Sequence, residues 1–225
     1  MYTSIFKLFK IGIGPSSSHT IGPLVASSYF VNELKLSAIK INSLKIHIYG
    51  SLAYTGKGHG TDLGLLAGLM GFTPENVNIN DIKALYDIVK TKNKLTIPSL
   101  KYSINFDPKE DFVINYKNHK KHKYTNAIEF KGYMDNKLIQ KKLYYSIGGG
   151  FVVDDNEKIN KSIVVPNYFK NAKELLEICK EKKIFIHELI IENEKKLQNI
   201  TEGQLFNKIL DIWKTMNKSI YNGMQ

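Results

Sequence analysis

Three short segments gather hydroxyl side chains, imidazoles and glycines, the materials of a binding site built close to backbone. Gly14-Pro15-Ser16-Ser17-Ser18-His19-Thr20 stands at the head of an apolar stretch with helical spacing. Hydroxyls and free N–H groups at a helix start can hold a carboxylate, although an ordinary N-cap with surplus serines reads the same way. Gly58-His59-Gly60-Thr61-Asp62 sets an imidazole between two glycines just ahead of a helix. Such an imidazole can approach a ligand closely, and a nearby carboxylate can fix its tautomer or raise its basicity; the plain alternative is a surface histidine in a loop. Tyr145-Ser146-Ile147-Gly148-Gly149-Gly150 ends a strand in three glycines, which is either a bend or a place where backbone meets ligand.

The elements that must position these segments follow from periodicity. Ser16 to Leu36 reads as a glycine-rich loop entering a helix, with Leu24, Val25, Ser28, Tyr29, Val31 and Leu34 at roughly helical spacing. Ser43 to Tyr49 alternates Leu44, Ile46 and Ile48 with Lys45 and His47, a strand with one buried face that ends at Gly50. Asp62 to Met70 is an apolar helix in which Gly64 and Gly68, four apart, suit close packing on a neighbour. Lys101 to Phe106, Ala127 to Tyr133 and Lys141 to Ile147 read as further strands, and Lys117 to Lys123 as a basic loop. Beyond Pro166 the pattern turns helical, over Ala172–Lys180, Ile184–Lys195 and Gln204–Ile220. The expected class is α/β (α+β), with a domain over residues 1–165 and a helical segment over 166–225.

Composition narrows the function. The net charge of +11 comes from 32 basic residues, every one a lysine. Nucleic-acid recognition favours the guanidinium fork of arginine, so the charge argues weakly for such a partner. No run of roughly 20 apolar residues is present and no signal-peptide core forms at the start, so a cytoplasmic protein with no membrane partner is expected. The single cysteine, Cys179, cannot bind an iron–sulfur cluster or a structural zinc unaided. Its place on a leucine-rich helical stripe suits a packed core residue.

Taken together, GIGPSSSHTIGP, TGKGHGTD and YSIGGGFVVDD resemble, in order and spacing, segments of the β domain of bacterial iron–sulfur L-serine dehydratases. SIFKLFKIG and VVPNYFKNAKELLEIC are similar to further segments of that family, so the resemblance covers nearly the whole chain. It implies conversion of L-serine to pyruvate and ammonia without pyridoxal phosphate. A 4Fe–4S cluster held by three cysteines would polarise the substrate hydroxyl while a base takes the α-proton. Those cysteines belong to a helical α domain or chain. The resemblance implies that this chain is the N-terminal, substrate-handling part of such an enzyme, inactive without that partner and homodimeric when complete.

Carried over by residue, the resemblance makes His59 the base or a direct substrate contact and His19 a second contact. Ser16, Ser17, Ser18 and Thr20 would hold the substrate carboxylate. Thr61 and Asp62 would orient His59, and Asn126, Ser146, Gly148 and Gly149 would line the cavity. One departure stands out: Tyr124-Thr125-Asn126 replaces a His-Pro-Asn run, keeping the asparagine and losing a histidine that His122 can replace only through a loop shift. A second reading is a non-catalytic serine-binding module, similar to the regulatory domain of some phosphoglycerate dehydrogenases, which would need the anion-holding loop but not His59.

Overall fold

The computed structural model describes residues 2–117, 122–155 and 164–225. They form two compact units, one of residues 12–117 with 122–155 and one of residues 2–11 with 164–225. Residues 2–11, expected with the first domain, group with the helices.

A buried carboxylate explains that grouping. In the helical unit a short N-terminal helix α1 (Ile5–Leu8) follows Ser4. Glu194 accepts hydrogen bonds from Tyr2 Oη at 2.9 Å, Ser4 Oγ at 2.7 Å and the Ile5 amide at 3.1 Å, so the N-terminal stretch supplies the donors to a fully buried carboxyl group. A carboxylate this deep needs such donors, because burying it unpaired costs several kcal/mol, on the order of the whole stability of a domain.

In the α/β unit, a single π-helical turn (Ser17–Ile21) leads into α2 (Gly22–Leu36), with Pro23 in its first turn. Then follow β1 (Ser43–Tyr49), α3 (Ser51–Thr55), α4 (Thr61–Leu69), α5 (Ile79–Lys92), β2 (Lys94–Ile97), β3 (Tyr102–Asn105), β4 (Phe112–Asn115), β5 (Ala127–Met134), β6 (Lys137–Gly148) and β7 (Phe151–Asp154). The strands make one mixed sheet in the order β2-β3-β1-β5-β6-β7, with β4 following β3 along the same edge of β1. β1 pairs parallel with β3 and β4 and antiparallel with β5, through Ile46↔Phe130 and His47↔Glu129.

The alternation read along β1 sorts the two faces. Leu44, Ile46 and Ile48 point with Ile128 and Phe130 into the main core, where they meet Phe30, Val31 and Leu34 of α2 and Leu65, Leu66 and Leu69 of α4. His47, Tyr49, Glu129 and Tyr145 occupy the other face. There, burial alone would raise the Glu129 carboxyl, but Lys141 at 2.8 Å, Lys131 at 3.0 Å and the Tyr49 hydroxyl at 3.1 Å bring it down to about 2.

α4 lies directly on the start of α2, as the spacing of its glycines implies. A Cβ at Gly64 would stand 2.5 Å from the Thr20 carbonyl oxygen, and one at Gly68 would overlap the Leu24 carbonyl. The two loop-to-helix junctions that carry the chemistry are thereby brought together. α5, not evident from periodicity, buries Ile82 and Val89 with Leu85 and Tyr86 half-buried between them.

The helical unit continues with α6 (Ala172–Lys182), α7 (Ile186–Gln198) and α8 (Glu202–Gly223), each running two or three residues further at its C-terminal end than expected, with α7 starting two residues later. α8 buries Leu205 and leaves Phe206, Leu210, Trp213, Met216 and Ile220 exposed. Among the described residues no helix is long and apolar enough to cross a membrane.

Candidate functional site

The Ser16–Thr20 segment starts the π turn. Ser16 Oγ accepts from the His19 amide at 3.2 Å, the hydroxyl cap expected of a serine at a helix start. The wider π turn lets Ser18 and His19 face the second junction. His59 sits in the turn between α3 and α4, followed by Gly60 in the left-handed region at φ 64°, which glycine adopts without strain. The centroids of the two imidazoles lie 5.1 Å apart, tilted at 51°.

Two buried threonines fix that separation reciprocally. Thr20 Oγ1 donates to the His59 carbonyl at 2.7 Å, and Thr61 Oγ1 donates to the His19 carbonyl at 2.5 Å. Both side chains are 1% exposed, so each hydroxyl is committed to the opposite histidine's backbone. Sequence reasoning assigned Thr20 to a substrate carboxylate and Thr61 to orienting His59; the geometry gives both threonines a bracing task.

Each ring nitrogen has a defined environment. His59 Nδ1 lies 2.8 Å from the Thr55 carbonyl, which can only accept, so Nδ1 carries a hydrogen and Nε2 of the neutral ring keeps its lone pair. This carbonyl holds the ring where Asp62 was expected to. Asp62 accepts from the Leu63 amide at 2.9 Å and faces Tyr86, whose phenol is pushed up to about 12, first by burial and then by that carboxylate. His19 meets a hydroxyl at each nitrogen: Ser18 Oγ at 2.8 Å from Nδ1 and Ser51 Oγ at 3.0 Å from Nε2. Burial pushes the His19 imidazole below its ordinary range, the neighbouring His59 pushes the same way, and a hydrogen bond to the Ser51 backbone opposes them.

Beside the pair, an open groove of about 440 Å³ is lined by Ser18, Tyr124, Asn126, Ser146 and Gly148, among others. Ser146 is 2% exposed and donates from Oγ to the Ser18 carbonyl at 2.7 Å, which locks the end of β6 to the π turn. A Cβ at Gly22 would overlap this hydroxyl, so the lock needs a glycine at the start of α2. Asn126 Nδ2 donates to the Ser146 carbonyl at 3.3 Å, while its buried Oδ1 has no hydrogen-bond partner among the described residues. Gly148, Gly149 and Gly150 all have positive φ and make the bend into β7, and Gly148 also borders the groove. Ser17 is exposed.

Tyr124 lines the groove, with its ring 5.3 Å from Tyr145, whereas His122 packs on Tyr49 at 4.4 Å. Most of the basic loop expected over residues 117–123 lies outside the described residues. Ser51 and Thr55 were missed by the sequence reading. Their signal is the Gly50-Ser51 pair closing β1, where a new helix starts straight off a buried strand.

Among the described residues no group of three or more His, Cys, Asp or Glu side chains can hold a metal ion, and Cys179 is buried on α6 in the helical unit. The residues present therefore do not fit a 4Fe–4S cluster.

A mixed sheet backed by α2 and α4, with two imidazoles braced at the heads of those helices, defines an α/β domain with a polar, histidine-bearing loop cluster. The chain belongs to the serine dehydratase beta chain family, whose model matches residues 4–157. It is similar to L-serine dehydratase 1 of Escherichia coli K12, with 34% identity over 98% of this chain and 49% of that protein. It is also similar to the L-serine dehydratases of Helicobacter pylori J99, with 35% identity over 98% of this chain and 48% of that protein, and of Streptomyces coelicolor, with 32% identity over 100% and 50%. The chain spans about half the length of these curated relatives.

Proposed function

We propose that the α/β unit is the substrate-handling part of an L-serine ammonia-lyase, with His59 as the base that takes the α-proton. The observation that carries the reading is the His59 Nδ1 contact with the Thr55 carbonyl, which leaves Nε2 as the proton acceptor and keeps the ring oriented once it is charged. His19 is a second substrate contact, and burial first and the neighbouring His59 second disfavour its protonation. Ser16, Ser17 and Ser18, at the start of the π turn, offer hydroxyls and amides to the substrate carboxylate.

In this reaction the Cα–H bond of L-serine breaks with its proton going to His59 Nε2, its electron pair forms the Cα–Cβ double bond, and the Cβ–O bond breaks to release hydroxide, which takes that proton back from His59 and leaves as water. The aminoacrylate so formed hydrolyses to pyruvate and ammonia. A 4Fe–4S cluster from a cysteine-bearing α part, homodimerisation and a cytoplasmic setting complete the reading through the family resemblance. No step assigned to this chain depends on them.

The test is restoration. The chain is joined to the portion of the E. coli relative that it does not cover, and pyruvate formation from L-serine is assayed anaerobically. Serine-dependent pyruvate is expected from the joined protein and from neither part alone. A folded, cluster-loaded fusion that makes none contradicts the reading and favours a regulatory binding module.

A further inference from the structure

We infer that Ser51 is a positioning residue for His19, its hydroxyl holding Nε2 and biasing the balance between the two ring tautomers of that histidine. The inference rests on the proposed role of the His19–His59 pair and adds a residue to it.

Gly50 has φ 62° and ψ −136°, a conformation open in practice to glycine, and it turns the chain sharply into α3. The Ser51 amide donates to the Thr125 carbonyl at 3.2 Å, so the first residue of α3 is pinned to the wall of the groove. From that position Ser51 Oγ reaches His19 Nε2 at 3.0 Å, while Ser18 Oγ holds Nδ1 at 2.8 Å. Four residues on, the same helix presents the Thr55 carbonyl to His59 Nδ1. Thr55 Oγ1 bonds back to the Ser51 carbonyl at 2.9 Å, which ties the two ends of α3 together. One short helix thus orients both imidazoles.

The two contacts differ in kind. A carbonyl only accepts, so it dictates a single tautomer at His59. A hydroxyl both donates and accepts, so His19 keeps its ring position while its proton moves between nitrogens as the Ser18 and Ser51 hydroxyls rotate. Without the Ser51 hydroxyl Nδ1 keeps its partner in Ser18 while Nε2 is left with the Ser51 backbone alone, so the tautomer balance shifts.

The tautomers of His19 and His59 are read from two-bond imidazole ¹⁵N–¹H correlations on the intact chain at fixed pH. Ser51→Ala is expected to change the Nδ1/Nε2 proton ratio of His19 at least about threefold, well outside spectral error, with His59 unmoved; a threefold change corresponds to roughly 0.6 kcal/mol. Ser51→Thr, which keeps a hydroxyl, should return the ratio toward that of the parent. If the alanine variant loses its amide dispersion, Ser51→Cys, similar in size and a weak hydrogen bonder, is read in the same way. A folded alanine or cysteine variant with the parent's His19 ratio overturns the inference, as does a threonine variant that behaves like alanine. Neither serine nor turnover enters this measurement, so failure of the lyase reading would leave its result intact and would appear only in the pyruvate assay.

Discussion

His59→Asn in the restored enzyme should lower turnover by about 100- to 10,000-fold, the usual cost of removing a general base. Asparagine keeps a polar side chain of similar reach, and its amide can still donate to the Thr55 carbonyl that now receives His59 Nδ1. It cannot take the α-proton. The fold should survive, because the backbone of residue 59 makes the structural bonds: its carbonyl accepts from the Thr20 hydroxyl of the π turn, and its amide donates to the Gly56 carbonyl at 3.0 Å. Cluster content should be unchanged, since His59 lies in the α/β unit, where no metal-holding group occurs among the described residues. Retention of more than about a tenth of the parent rate, a loss below roughly 1.4 kcal/mol, would make His59 a binding or structural residue. The base would then have to be sought at His19 or outside this chain.

The second large effect is structural. Gly50→Ala should destabilise the α/β unit by about 3 kcal/mol or more, from left-handed strain of roughly 1–3 kcal/mol and overpacking of similar size. The new Cβ would overlap the Thr125 carbonyl oxygen, which is backbone already engaged by the Ser51 amide and has no side chain to swing away. Trp213 lies in the helical unit, so its fluorescence reports the wrong part of the molecule. Amide hydrogen exchange along β1 and β5 is the suitable probe, and a loss of that size appears as opening at least about 100-fold more frequent. A Gly50→Ala protein within about 0.5 kcal/mol of the parent would mean that the turn into α3 is soft, and the precise placement of Ser51 would lose its support.

The legible parts of this molecule are those that repeat. Leu44, Ile46 and Ile48 alternate, and β1 is the central strand with those residues in the core. Gly64 and Gly68 lie where α4 touches the Thr20–Leu24 backbone, because close helix contact leaves a spacing of four in the sequence. The strands β2, β4 and β7, four residues each, were missed, while β3, no longer, was read because the alternation carries on into its flanking residues. α5 was legible in principle, with Ile82, Leu85, Tyr86 and Val89 at helical spacing, but its polar and charged company hid the stripe.

The candidate site was legible as a set of segments and illegible as a set of bonds. Ser16–Thr20, His59–Asp62 and Ser146–Gly148 do converge, through bonds between Thr20 and His59, Thr61 and His19, and Ser146 and Ser18. Which hydroxyl faces the groove and which is spent inside depends on contacts across tens of residues. Thr20 pairs with His59, Thr61 with His19, and Ser146 with Ser18. Nothing local to a threonine announces such a partner. Glu194 is the same lesson in the helical unit, a carboxylate ordinary in sequence and buried in the structure by Tyr2 and Ser4 from the far end of the chain.

The claim on which the account turns is that Nε2 of His59 is the bare, proton-accepting nitrogen. The most direct measurement is the ¹⁵N imidazole spectrum of His59 in its neutral form, assigned by loss of the signal in His59→Asn. A hydrogen on Nδ1, held by the Thr55 carbonyl, and an unprotonated Nε2 are expected. A neutral His59 with its proton on Nε2 would contradict that claim.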